Sequence, residues 1–164
     1  MKRIIAFILA VFIALWAYSQ SVSYNHQLLR SDGCKVTLSV VKQDTSFYIL
    51  ATVKSESLKF LASPVMKLKN FEGEVLRLQG VALGNSSESY GFLVGSVVIP
   101  ATEVSSTAQF LITPEQFELI KNGVAKIRLT TTPIVHEKTF KKDKFGKKLY
   151  EFYKKIKYEE DDDF

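Results

Sequence analysis

Cysteine is almost absent from this chain: Cys34 is the only one among 164 residues. A single cysteine excludes an intramolecular disulfide, so the fold must be stabilised by its apolar core. We expect Cys34 to be a buried, inert thiol at the start of a strand. Pairing of Cys34 between two chains is the alternative.

Residues for metal or nucleophilic chemistry are equally scarce. His26 and His136 are the only histidines, and together with Cys34 they are scattered along the chain. Scattered residues of these types predict no metal centre. There is also no Gly-x-Ser-x-Gly elbow and no glycine loop that precedes a helix, as phosphate binding would need. The sequence therefore predicts no catalytic residue and no cofactor.

The N-terminus has the order of a signal peptide. Lys2 and Arg3 precede an apolar run from Ile4 to Trp16, and Ala17-Tyr18-Ser19 has a small-residue pattern. The run is shorter than the roughly 20 apolar residues that cross a bilayer. We expect cleavage near Ser19 and export to the periplasm or the extracellular space, with an uncleaved anchor as the alternative. Export would also separate the chain from cytoplasmic nucleic acid.

Cleavage would leave 145 of the 164 residues, a length that fits one domain. The formal charge of +5 would fall to +3, because the removed segment carries two basic residues and no acid. A balance this small favours no particular partner. We predict a signal peptide over 1–19, a flexible leader over 20–33, one β-rich domain over 34–158 and an acidic tail over 159–164.

Apolar residues alternate with polar ones along most of the predicted domain. This period-two pattern predicts half-buried strands; it covers residues 36–40, 47–53, 108–112 and 125–129, and Val75, Leu76 and Leu78 begin a further strand. Between 58 and 68, Pro64 marks an edge, a bulge or a break between two short strands. Residues 92–99 are apolar on both faces, which predicts a central strand covered from two sides, and the polar stretch Gly84 to Gly91 predicts a loop.

Two segments have helical signals. Thr113-Pro114-Glu115-Gln116 is typical of a helix start, and Asn122-Gly123 of a helix end. Apolar residues then recur at helical spacing in the last segment, with Asp143 available as N-cap; they are Phe145, Leu149, Phe152 and Ile156. The predicted fold is mainly β: an antiparallel β-sandwich-like domain with one short inter-strand helix and a C-terminal amphipathic helix.

The C-terminal helix belongs to a strongly basic segment. Nine lysines lie between Lys138 and Lys157, against only Asp143 and Glu151, and aromatic residues are interleaved. Such a surface can contact anionic lipid headgroups; the alternative is an ordinary solvated face with its apolar stripe docked on the domain. The candidate contact residues are Lys141, Lys142, Lys147, Lys148, Lys154 and Lys155.

Three stretches carry a resemblance: residues 67–70 with 73–75, residues 110–120 with the Thr-Pro-Glu-Gln helix start, and residues 123–129 before the lysine-rich helix. With these, the chain resembles a group of short, uncharacterised secreted proteins of Bacteroidota-type bacteria. The resemblance implies a β scaffold with a strand-helix-strand unit. It implies no activity and no site residue.

The sequence favours a non-enzymatic secreted or periplasmic binding module, or one associated with the envelope. Its partner would be a protein or another envelope component. One alternative is peripheral binding to an anionic membrane through the basic helix. Another is a periplasmic hydrolase with an unrecognised site, which would need a deep pocket with converging titratable groups.

Overall fold

The computed structural model describes residues 20–27 and 33–159. The predicted signal peptide and tail residues 160–164 lie outside this part of the chain. Within it, ten strands and two helices follow one another. They are β1 (Ser21–Gln27), β2 (Gly33–Gln43), β3 (Ser46–Ser55), β4 (Lys59–Phe60), β5 (Val65–Asn70), β6 (Val75–Val94), β7 (Val97–Ile112), α1 (Pro114–Glu118), β8 (Val124–Leu129), β9 (Thr131–Thr132), β10 (His136–Thr139) and α2 (Gly146–Glu159).

Eight strands form one antiparallel sheet in the order β1-β2-β3-β7-β6-β5-β8-β10, and β4 pairs with β9 apart from it. The sheet curls until its two edge strands meet through side chains. Tyr24 on β1 is hydrogen-bonded to His136 on β10, with 3.1 Å between the hydroxyl and Nε2. The predicted mainly-β antiparallel class with two helices is confirmed, and the sheet is curled.

The core lies inside the curl and is built by alternation. Val36, Leu38 and Val40 of β2 are fully buried, as are Ile49 and Ala51 of β3. Their polar neighbours point outward, because successive side chains of a strand face opposite sides of the sheet. Pro64 separates β4 from β5, which confirms the break predicted at this proline.

Both helices begin where the sequence predicts. The Thr113 side chain accepts from the Gln116 amide while the Gln116 side chain accepts from the Thr113 amide, a complete capping box before α1. The Asp143 carboxylate accepts from the amides of Gly146 and Lys147 at the start of α2. No helix among the described residues is long and apolar enough to span a membrane.

The expected flexible leader is corrected over residues 21–27. These residues form β1, which pairs with β2 from Ser21 opposite Ser39 to Gln27 opposite Gly33. Val22 and Tyr24 are buried, so this edge strand has one apolar side that packs against the core. The domain therefore begins before residue 34.

The expectations for residues 84–99 are also corrected. Gly84 to Gly91 is no loop, since it continues β6, and residues 92–99 form the tip of a hairpin instead of a covered central strand. Leu93 at this tip is 73 % exposed. The apolar composition of residues 92–99 predicts burial in the core, whereas the hairpin carries these residues away from the core.

Candidate functional site

A two-stranded hairpin projects from one end of the body. β3 pairs with β7 no further than Ser55 opposite Val104, so the strands beyond that level pair only with each other. We call residues 89–102 the apolar arm. It contains six cross-strand pairs, from Ser89 opposite Thr102 to Val94 opposite Val97, and at about 3.3 Å per residue it reaches roughly 20 Å.

The arm has no charged residue and is apolar on both faces. Directly opposite residues share a face of an antiparallel pair. One face carries Leu93, Val98 and Pro100, and the other carries Tyr90, Phe92, Val94, Val97 and Ile99. All of these large apolar side chains are substantially exposed. Scattered exposed apolar residues are normal, but a contiguous group on a projecting element makes the arm a candidate interaction surface.

The arm ends in a two-residue turn. Gly95 has φ +64°, which is the glycine conformation that the first central position of a tight hairpin turn requires. At the base of the arm, Glu88 lies opposite Glu103, and Lys54 of β3 forms an ion pair with Glu103 at 3.7 Å. Charge therefore begins only where the arm joins the body.

The lysine-rich segment lies at the other end of the body. Asp143 accepts from the amide of Val124, the first residue of β8. Further along α2, the Tyr153 ring lies 5.0 Å from Phe47 and 4.2 Å from Phe117, where β3 begins and α1 follows β7. Helix α2 thus covers the end of the curled sheet that lies opposite the arm.

The apolar stripe of α2 is used to dock the helix. Phe145, Leu149 and Tyr153 are buried, and Phe152 and Ile156 pack against the core while half exposed. The predicted stripe is therefore real, with Tyr153 as its third fully buried member.

The six predicted contact lysines, Lys141, Lys142, Lys147, Lys148, Lys154 and Lys155, are all exposed. In the structure they belong to one surface around α2. Two of them precede α2, two lie in its first turn and two lie seven residues further on. Positions seven apart share a helix face. Lys155 forms an ion pair with Glu159 at 3.7 Å, and Lys154 lies over the rings of Tyr150 and Tyr158.

A basic cleft that the sequence reasoning missed lies at the seam between β1 and β10. It has a volume of about 390 Å³ and is lined by Lys35, Lys138 and Lys144 beside the rings of Tyr24 and Phe140. Lys138 donates to the carbonyl of Asn25 across the seam and lies 5.7 Å from both ring centres. Lys138 therefore helps to join the edge strands.

The only cysteine lies beside a histidine in the same seam. Cys34 Sγ is 3.9 Å from His136 Nδ1, and both side chains are buried. Burial raises the pKa of the Cys34 thiol to about 11 and also raises the pKa of Tyr24. Since the thiolate is the nucleophile, this thiol is held in its unreactive form. The predicted burial of Cys34 is confirmed.

Two carboxylates with lowered pKa values, Glu118 and Glu137, hold elements together. The Tyr150 hydroxyl donates to Glu118 at 2.7 Å, and this bond lowers the pKa of Glu118 while it ties α2 to α1. The Lys126 ammonium lies 2.7 Å from Glu137 and lowers the pKa of that carboxyl across β8 and β10. Within residues 20–27 and 33–159, no three His, Cys, Asp or Glu side chains are grouped as metal ligands would be.

One sequence signal could have located the arm. Gly95-Ser96 stands between two apolar runs, Phe92 to Val94 and Val97 to Ile99. A glycine followed by serine between two strand-like runs is a signature of a two-residue hairpin turn.

No protein family, curated protein or solved structure matches this chain.

Proposed function

We propose that this protein is an exported, non-enzymatic binding module of the cell envelope or the extracellular space. It engages another envelope component through the apolar arm. The single observation that carries this proposal is the exposure of both arm faces, without any charge between Glu88 and Glu103. The complementary surface of the partner is therefore apolar and uncharged.

Water is a poor environment for this arm. An isolated two-stranded hairpin is marginally stable at best, and each large side chain that leaves water gains roughly 1.5 to 3 kcal/mol when fully buried. A partner that covers the arm therefore stabilises the hairpin and hides its apolar faces together. The body below it supplies a rigid base, because β7 is paired with β3 up to Val104.

The test compares two valines of similar exposure. Val97 at the arm tip is 62 % exposed, and Val75 at the start of β6 is 59 % exposed. In the producing cells we expect the wild-type protein to stay with the envelope fraction and to cross-link to one partner. Val97→Ser should release it, whereas Val75→Ser should not. Equal retention of all three proteins, or a wild type without any cross-linked partner, would contradict the proposal.

A second candidate function is peripheral binding to an anionic membrane through the lysine-rich segment. The observation that favours it is the exposure of all six candidate lysines, Lys141, Lys142, Lys147, Lys148, Lys154 and Lys155, around one end of the body. Because the apolar stripe of α2 is docked, this attachment would be electrostatic alone and would weaken as salt screens it.

Vesicle flotation tests the second candidate. Anionic vesicles should bind the protein at low salt and release it at high salt, and Lys147→Glu with Lys154→Glu should abolish binding. Lys67→Glu with Lys69→Glu makes the same charge change on β5 and is the matched control. Binding that ignores lipid charge, or equal losses in both double variants, would exclude the lysine-rich segment as the contact.

A further inference from the structure

The apolar arm has two outer edges, and only one of them is closed. In a two-residue hairpin the pair that flanks the turn, Val94 and Val97, exchanges hydrogen bonds, and the bonded pairs alternate from there. The third pair from there is Gly91 opposite Pro100, a pair without bonds across the hairpin. The backbone groups of Gly91 and Pro100 therefore point outward.

Pro100 closes the edge of β7. Proline has no N–H, so it interrupts the row of donors that an added strand would need, and edge prolines are a known device against pairing. The outer edge of β6 has no such device. The outward N–H and C=O groups of Ser89, Gly91 and Leu93 follow one another without a proline or a charged side chain among them.

We propose that the occupant of this open edge is the β6 edge of a second copy of the chain, paired antiparallel across a two-fold axis at Gly91. This inference rests on the arm that the proposed function uses and names a partner for its edge. The two hairpins then form one four-stranded sheet, and each copy contributes the same surface, as an isologous dimer requires.

The register at Gly91 is self-complementary. It pairs all seven residues from Glu88 to Val94 and sets Tyr90 opposite Phe92 of the second copy, twice by symmetry. Aromatic pairs across strands are stabilising. Glu88 meets the apolar Val94, and the two Glu88 side chains lie at opposite ends of the pairing, roughly 20 Å apart. That separation exceeds the Debye length of about 10 Å at ordinary salt.

The open edge also argues against lipid as the occupant. Hydrocarbon offers no partner for the outward backbone groups of Ser89, Gly91 and Leu93, and open sheet edges do not occur in the lipid-exposed core of a bilayer. A second strand bonds all of them. The paired arms present a doubled apolar sheet, with both faces still available to the partner proposed above.

The proposed interface between the two β6 edges is small, and its size sets the expected affinity. Seven paired residues bury less than the roughly 800 Å² per partner of a stable interface. We therefore expect a weak dimer with a Kd of about 10 to 500 µM. Protein purified from its producing cells and followed by sedimentation equilibrium from about 1 µM to 1 mM should show this dimer.

Two proline variants separate the edges. Ser89 and Thr102 form one cross-strand pair and share a side-chain hydrogen bond of 3.2 Å, so Ser89→Pro and Thr102→Pro both remove this bond. Ser89→Pro also removes an outward donor from the open β6 edge and should weaken the dimer at least tenfold. Thr102→Pro changes the edge that Pro100 already closes and should leave the dimer unchanged.

A cysteine pair tests the register even where a proline variant fails to fold. Ser89→Cys with Leu93→Cys places two thiols opposite their counterparts in the second copy, and oxidation should give a covalent dimer. Val98→Cys with Thr102→Cys on β7 should not. A wild type that is monomeric at 1 mM, equal effects of both proline variants, or cross-linking only through β7 would overturn the proposal.

Two outcomes distinguish this inference from the proposed function. If monomeric protein floats with neutral phosphatidylcholine vesicles, the occupant of the open edge is lipid and not a second copy of the chain. Loss of the dimer in Ser89→Pro with normal envelope retention would leave the proposed function standing, because retention depends on the face that carries Phe92 and Val97. If Val97→Ser abolishes envelope retention but leaves the dimer intact, the two proposals depend on different parts of the arm.

Discussion

The Asp143 carboxylate offers the sharpest test of how the structure holds α2 in place. Its Oδ1 accepts from the amides of Val124 at 2.8 Å and Gly146 at 2.9 Å, and its Oδ2 accepts from Lys147 at 3.0 Å. One side chain therefore caps the first turn of α2 and fastens that turn to the start of β8. Replacement by alanine removes all three acceptors at once.

The expected cost of Asp143→Ala follows from these contacts. A lost helix cap costs about 1 kcal/mol, and a hydrogen bond to a charged acceptor contributes about 1.5 to 3 kcal/mol. Because the three bonds share one carboxylate, their contributions overlap, and we expect a loss of about 2 to 4 kcal/mol in the free energy of unfolding. For a domain of this size, Tm should fall by about 10 °C.

Urea unfolding followed by far-UV circular dichroism measures this loss. Asp143→Asn keeps one acceptor oxygen and should lose about 1 kcal/mol. Glu151→Ala removes a carboxylate from the exposed face of the same helix and should change stability by less than about 0.5 kcal/mol. An Asp143→Ala protein as stable as Glu151→Ala would refute the reasoning, because three backbone amides would then have lost their acceptor without cost.

Further predictions concern single buried positions. Ser106 accepts from the buried Phe60 amide at 2.9 Å, so Ser106→Ala should cost about 1 to 3 kcal/mol in chemical denaturation. Gly146→Ala should lower Tm although alanine usually favours helix, since its Cβ would lie 2.6 Å from the Val124 nitrogen; unchanged Tm would exclude this close approach. The Cys34 pKa of about 11 lies above the ordinary 9.0, so the stability from the neutral thiol is complete below pH 9 and lost as pH rises toward 11. Cys34→Ala should flatten that fall in a pH series of urea unfolding, and equal slopes would count against it.

Most of the body could be predicted from local patterns. Alternation located the buried residues of β2, β3 and β8, and the capping residues Thr113 and Asp143 located the starts of both helices. These signals succeed because each acts within a few residues of the chain. Strand order depends instead on contacts between distant segments, and no local pattern specifies that β7 lies between β3 and β6.

The arm was missed because composition does not show where an apolar strand points. Valine, isoleucine and phenylalanine on both faces predict a strand covered from two sides within the fold, and the exposed strands of the arm have the same composition. The polar stretch before it pairs with β7 in spite of its loop-like residues, because tertiary context overrides propensity. The contacts of His136 with Tyr24 and Cys34 could not be predicted for a related reason. His136 is 112 positions from Tyr24 and 102 positions from Cys34 in the sequence.

The placement of the arm and α2 at opposite ends gives the molecule the properties of a spacer. β3 and β7 are paired over nine residues, from Phe47 opposite Ile112 to Ser55 opposite Val104, and together with the arm they separate the two ends by about 50 Å. A partner at the tip would therefore lie about five Debye lengths from the lysines of α2 in ordinary salt. Occupancy at one end therefore leaves the other accessible, and two objects bound at once are kept apart by the length of the sheet.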